Sequence, residues 1–159
     1  MQQEPRSTKK RIEQERQDTY KNRGKLSEPT VCSGCGAVFV NGRWTWAAAP
    51  LGAHKAHCPA CQRIADRLPA GRVEMGGAFL REHREEILHL VRHTEAKARA
   101  EHALERIIEV KEEGDRTVVT LTDSHLTHGI GEALRHAYHG EFDSRYTDEG
   151  DLLRAAWSR

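Results

Sequence analysis

Four cysteines, Cys32, Cys35, Cys58 and Cys61, fall into two C-x-x-C pairs with 22 residues between them. Each pair, Cys32-Ser-Gly-Cys35 and Cys58-Pro-Ala-Cys61, suits a tight turn that holds two sulfurs side by side. Gly34 and Gly36 give the first turn the backbone freedom to aim amide hydrogens at the sulfurs. Zinc takes four soft ligands in a tetrahedron at about 2.3 Å, and two such turns deliver that set from a short chain. Two structural disulfides would require an oxidising compartment. A thioredoxin-type pair would need a strand and helix around a single C-x-x-C. His54 and His57 lie near the second pair as substitute ligands, but four thiolates already fill the coordination sphere and leave no position for a reactive water.

Histidine is the other residue type that invites chemistry, at 10 of 159 residues. His89 and His93 share a helical face at i, i+4, a spacing that can bind metal, but no H-E-x-x-H arrangement is present. Asp123 and His125 suggest an acid–base pair, against the plainer reading of a helix cap beside a surface histidine. No nucleophile motif, phosphate loop or dinucleotide fingerprint is found, so the expectation is a protein without catalytic residues or a small-molecule substrate.

The elements that must position the cysteines follow from turn signals and periodicity. Ala37-Val38-Phe39-Val40 and Trp44-Thr45-Trp46 flank Asn41-Gly42, a hairpin turn, so residues 29–75 are expected to form a zinc ribbon. Trp44 and Trp46 are two apart and project to one face of a strand. They either pack on the following domain or offer an aromatic platform to a nucleobase beside Arg43. The segment from Arg63 to Gly71 leads to a turn. Beyond Gly76-Gly77, Phe79, Leu80, His83, Ile87, Leu90 and Val91 recur at helical spacing and predict one helix of roughly two dozen residues. Strands at Leu104–Val110 and Thr117–Leu121 follow, joined by a hairpin loop at Glu112-Glu113-Gly114-Asp115. A helix capped near Asp123 carries the stripe Leu126, Ile130, Ala133, Leu134 and Tyr138 and ends near Gly140. A final hairpin joins Phe142–Tyr146 to Leu152–Trp157. The fold class is α+β: a four-cysteine ribbon, then helix, strand, strand, helix, strand, strand over residues 76–159, with an antiparallel or mixed sheet.

Residues 1–28 read as a basic tail. Eight Lys or Arg side chains and one tyrosine accompany almost no aliphatic residues, a composition that favours disorder in isolation. Lys9 to Tyr20 contains nothing that would break a helix formed on a partner. The net charge of +1 conceals an asymmetry, because residues 1–75 carry 13 Lys/Arg against 7 Asp/Glu and the remainder is acidic. A basic front of this kind suits an anionic partner. No apolar run approaches the roughly 18 residues of a membrane span, and the N-terminus has no hydrophobic leader, so a cytoplasmic protein without membrane contact is expected.

Taken in order, Cys32-Ser-Gly-Cys35-Gly36, Cys58-Pro-Ala-Cys61, Leu104-Glu-Arg-Ile, Thr120-Leu-Thr-Asp-Ser-His-Leu and Ile130-Gly-Glu-Ala-Leu134 carry a resemblance. Residues 30–159 resemble small bacterial zinc-ribbon proteins and the N-terminal part of the archaeal and eukaryotic adaptor for large-ribosomal-subunit export and maturation. This chain has a single pair of knuckles, where the adaptor has further zinc pairs, and it lacks the adaptor's later β-barrel domains and export signals. The resemblance therefore implies contact with the ribosome or ribosomal RNA, in stress or subunit maturation, and with ribosomal proteins, but not nuclear export. The side chains expected to reach RNA are Lys9, Lys10 and Arg11 in the tail and Arg43, Arg63 and Arg67 around the ribbon, beside Trp44 and Trp46. The alternatives are a transcription accessory that binds DNA or RNA polymerase and a protein–protein adaptor. A DNA reader would need a recognition helix with an exposed Arg, Asn or Gln face, and the helix after Asp123 offers only Arg135.

Overall fold

The computed structural model describes Tyr20 and residues 26–159. The chain builds two sheets with helices beside them. The first sheet contains β1 (Thr30–Cys32), β2 (Val38–Val40), β3 (Arg43–Thr45) and β4 (His54–Ala56), in the order β3-β2-β1-β4. The hairpin expected at Asn41-Gly42 is present, with both residues at positive φ (52° and 76°), as a two-residue turn between twisted strands requires. β1 and β4 were not expected. They pair in parallel, Cys32 opposite Ala56, and so carry the first knuckle to the second.

Helix α1 (Pro59–Asp66) starts at the second knuckle. Cys58 is its N-cap, its sulfur accepting from the amide of Cys61, and Pro59 occupies the first helical position, where a missing N–H costs nothing. This helix differs from the expected segment leading to a turn; at eight residues it offers only two turns of periodicity.

The second sheet is mixed and five-stranded, in the order β6-β7-β5-β9-β8. Its strands are β5 (Gly71–Gly76), β6 (Ile107–Glu113), β7 (Arg116–Leu121), β8 (Glu141–Tyr146) and β9 (Leu153–Ser158). β5 corrects the expected order of elements. It is the central strand, antiparallel to β7 and parallel to β9, and it runs through the boundary expected between residues 75 and 76. Only Val73 and Met75 mark its inward face, and its partners lie far along the chain, so no local turn signal announces it. The helix expected after Gly77 is two helices, α2 (Ala78–Glu82) and α3 (Arg84–Glu101), broken at His83, which leaves helical geometry at φ −123° and ψ 26°. Helix α4 (Ser124–Tyr138) is capped as expected, Asp123 Oδ1 accepting from the amides of His125 and Leu126 at 2.7 and 3.2 Å.

One face of the second sheet packs on these helices. Val73, Met75, Leu80, Ile87, Val91, Val119, Leu121, Ile130, Leu134 and Trp157 form the heart of this core. α4 lies so close to β8 that a Cβ on Gly131 would stand 2.0 Å from the Phe142 ring, so only glycine fits there. Trp157 is buried, and its indole N–H donates to the His139 carbonyl at 2.7 Å. Among the described residues, no helix is long and apolar enough to cross a membrane.

Candidate metal centre

The β1–β2 turn and the N-terminus of α1 bring Cys32, Cys35, Cys58 and Cys61 together, their sulfurs all within 4.8 Å of one another. None is in a disulfide. The Cys35 and Cys58 sulfurs are 3.8 Å apart, which matches the edge of about 3.8 Å that a tetrahedron with metal–sulfur bonds of about 2.3 Å would have. Four sulfur donors at this spacing can hold a metal ion, and the donor set suits a soft or borderline cation. It is the only such cluster of His, Cys, Asp or Glu side chains among the described residues. His54, His57, His89 and His93 take no part in one.

The amide expected at Gly34 points at a sulfur, whereas that of Gly36 donates to the Cys32 carbonyl at 2.9 Å, and two cysteine amides join the first. Gly34 N points at Cys32 Sγ (3.4 Å), Cys58 N at Cys32 Sγ (3.2 Å) and Cys61 N at Cys58 Sγ (3.3 Å). Gly34 serves packing as well, since a Cβ there would meet Cys61 Sγ at 3.0 Å. Burial opposes ionisation of the Cys32, Cys58 and Cys61 thiols. At Cys32 the amides of Cys58, Cys35 and Gly34 outweigh it and bring the thiol down to about 6. At Cys58 and Cys61 burial prevails and pushes the thiols up. A coordinated divalent cation reverses that direction, because a metal-bound thiol is deprotonated outright.

The sequence reading missed Arg106. Its side chain leaves the start of β6 and enters the cysteine cluster, only 4% exposed. One guanidinium nitrogen donates to Cys35 and Cys58 Sγ at 3.0 and 3.2 Å, and the other to Cys61 Sγ at 3.3 Å. Its Nε donates to the Ala103 carbonyl at 2.9 Å. Burial alone would lower the pKa of this guanidinium, but the sulfurs, Cys61 first, hold it above its usual range. Among the described residues no carboxylate pairs with it, so its natural counter-charge is the thiolate set. Nothing in one arginine ahead of a strand signals this role.

The remaining expected residues are placed as follows. Trp44 is half-buried against Phe39, with ring centroids 5.4 Å apart, and packs on the cysteine cluster. Trp46 turns toward the second sheet's helices, its indole N–H donating to the Arg99 carbonyl at 2.6 Å. The guanidinium groups of Arg99 and Arg106 lie over its ring, at 5.6 and 5.8 Å. Arg63 is buried, donates to the Leu68 carbonyl at 3.1 Å and covers the Tyr20 ring at 4.7 Å. Arg43 and Arg67 are exposed. Lys9, Lys10 and Arg11 lie outside the described residues. Most of the expected tail of residues 1–28 lies outside the described residues; Tyr20 and residues 26–28 are described. Tyr20 donates to Asp66 at 2.8 Å, and Glu28 accepts from the amides of Asn41 and Gly42 at 3.2 and 2.8 Å.

Asp123, the other half of the suggested acid–base pair, uses its carboxylate as the α4 cap described above. Comparison with family models, with curated proteins and with solved structures finds no match for this chain. The structure itself shows a mixed α+β protein whose four clustered cysteines can hold a metal ion.

Proposed function

We propose that this protein is a non-enzymatic zinc protein that associates with the ribosome or ribosomal RNA, in stress or subunit maturation. The observation that carries the zinc reading is the four-sulfur cluster with a buried guanidinium against three of its members. Four thiolates satisfy zinc fully and leave no open position for substrate or water, which argues for a structural ion. The residues that would hold it are Cys32, Cys35, Cys58 and Cys61, and the ion would supply folding free energy to a module with little apolar core.

The RNA reading rests on the basic front half, on the exposed Arg43 and Arg67 of the cysteine module and on the resemblance set out above. Arg63 leaves the set of phosphate contacts, because its guanidinium is buried and already engaged. Trp46 keeps 39% of its surface exposed, and the exposed Arg99 against its ring adds charge at that edge. The acidic second half is suited to basic ribosomal proteins. Sedimentation of lysates from growing and starved cells on sucrose gradients, at low and high salt, tests the reading. The protein should move with ribosomal particles and dissociate steeply as salt rises, because each neutralised phosphate releases counterion. Alanine at Lys9, Lys10 and Arg11 should flatten that dependence. A protein that stays at the top of every gradient would refute it.

A further inference from the structure

We infer that Arg106 is a positioning residue for the metal centre and couples metal occupancy to the seating of the second sheet on the cysteine module. The inference rests on the metal reading above and is independent of any ribosomal partner. Arg106 is the point where the two halves of the molecule share a polar contact with the cluster. Its backbone amide donates to Thr122 Oγ1 at 2.9 Å, and the Thr122 amide donates back to the Arg106 carbonyl at 2.9 Å. The same hydroxyl also reaches the Leu104 carbonyl at 2.6 Å. The main chain of Arg106 is therefore fastened to the end of β7, while its side chain is fastened to three sulfurs of the other module.

Metal occupancy makes this contact conditional. A divalent cation with four thiolates leaves two units of negative charge in a buried site, and the guanidinium offsets one of them. Without the cation, nothing fixes the four sulfurs in the arrangement that the guanidinium spans, and Arg106 loses its three-sulfur seat. Ala103 and Leu104, which pack against the cysteine cluster, lie on the same short connection and leave with it. Metal loss in one module thus loosens residues 103–107 and the end of β7 in the other. In the opposite direction, the three N–H···S contacts draw charge from the thiolates and hold them in the tetrahedral arrangement, as outer-shell donors do.

The test uses the full chain, with zinc affinity measured by competition with a chromophoric chelator. Arg106→Met should weaken zinc binding by roughly 10- to 100-fold, the range for loss of an outer-shell partner. The cobalt-substituted variant should show its sulfur-to-metal charge-transfer band at lower energy, because thiolates stripped of hydrogen bonds donate more readily. Arg106→Lys, which keeps the charge but cannot reach three sulfurs at once, should recover part of the affinity. Amide hydrogen exchange on the wild-type protein needs no variant: chelation should open residues 103–107 and Thr122 while Val119 and Ile130 stay protected. Affinity within twofold of wild type with an unshifted cobalt band would overturn the inference, as would unchanged exchange at residues 103–107 on chelation. Should the wild-type protein itself take up no zinc, the metal reading falls first, and this inference falls with it.

Discussion

The two halves of the molecule solve the problem of cohesion by different means. The second sheet and its helices enclose thirteen buried apolar side chains, Trp157, Met75 and Ile130 among them. Among the described residues, the cysteine module has a small buried cluster of Cys32, Ala37, Cys58 and Ala60, completed by Ala103 from beyond α3, with Val38 its single large fully buried aliphatic side chain. Burying a large aliphatic or aromatic side chain is worth about 1.5–3 kcal/mol, and alanines contribute far less. One half therefore holds itself together by excluding water. The other has a sulfur cluster that a metal ion can bridge, and side chains contributed by its neighbour.

The largest expected effect comes from taking the bridge away. Chelation, or Cys58→Ser, should unfold residues 30–62, because structural zinc supplies on the order of 10 kcal/mol of folding free energy to modules of this kind. Amide spectra should show these residues collapsing to poorly dispersed positions while the Trp157 indole signal keeps its native shift. Metal analysis should give one zinc per chain in untreated protein. A spectrum in which both halves collapse together would break the contrast.

Trp157→Ala should do the reverse. Truncating a buried aromatic costs about 3–5 kcal/mol, and the loss should fall on the second sheet, with metal content unchanged. Denaturant unfolding followed with and without chelator separates the two contributions. Gly131→Ala is expected to cost about 1–3 kcal/mol, because the added methyl meets the Phe142 ring at 2.0 Å and α4 must lift from β8. Its destabilisation should be the same with or without zinc.

The smallest effect tests the seam. Trp46→Phe keeps an aromatic ring beside Arg99 and removes the indole donor to the Arg99 carbonyl, a bond worth about 0.5–1.5 kcal/mol net. A difference measured in zinc-loaded protein that vanishes after chelation would place Trp46 on the seam. A difference that persists unchanged would assign it to the second half alone.

Local features of the fold were legible in the sequence, and distant ones were not. The cysteine pairs, the Asn41-Gly42 turn and the Asp123 cap each depend on residues a few positions apart, so their signals are concentrated. β1 and β4 are three-residue strands whose pairing is fixed by the knuckles rather than by a hydrophobic repeat. β5 has two inward apolar residues and partners more than forty positions away, so its neighbours in sequence say nothing of its place. Arg106 was missed for the same reason. Its meaning arises only when β6 is laid beside the knuckles, and before that it is one more basic residue in a chain with 25 of them.

The central position of β5 sets an order of events during synthesis. All four cysteines and β5 leave the ribosomal tunnel early, and the knuckles can take metal from then on. Arg106 arrives later, and β9, which pairs with β5 from Gly71–Leu153 to Gly76–Ser158, comes last. Until then one edge of the middle strand has no partner, and Trp157 is missing from the core. Closing so long a span is slow, because chain entropy must be spent before the contacts form. The nascent protein therefore passes through a stage with its four cysteines available and an open sheet edge, the interval in which it is most exposed to wrong pairing or to a chaperone.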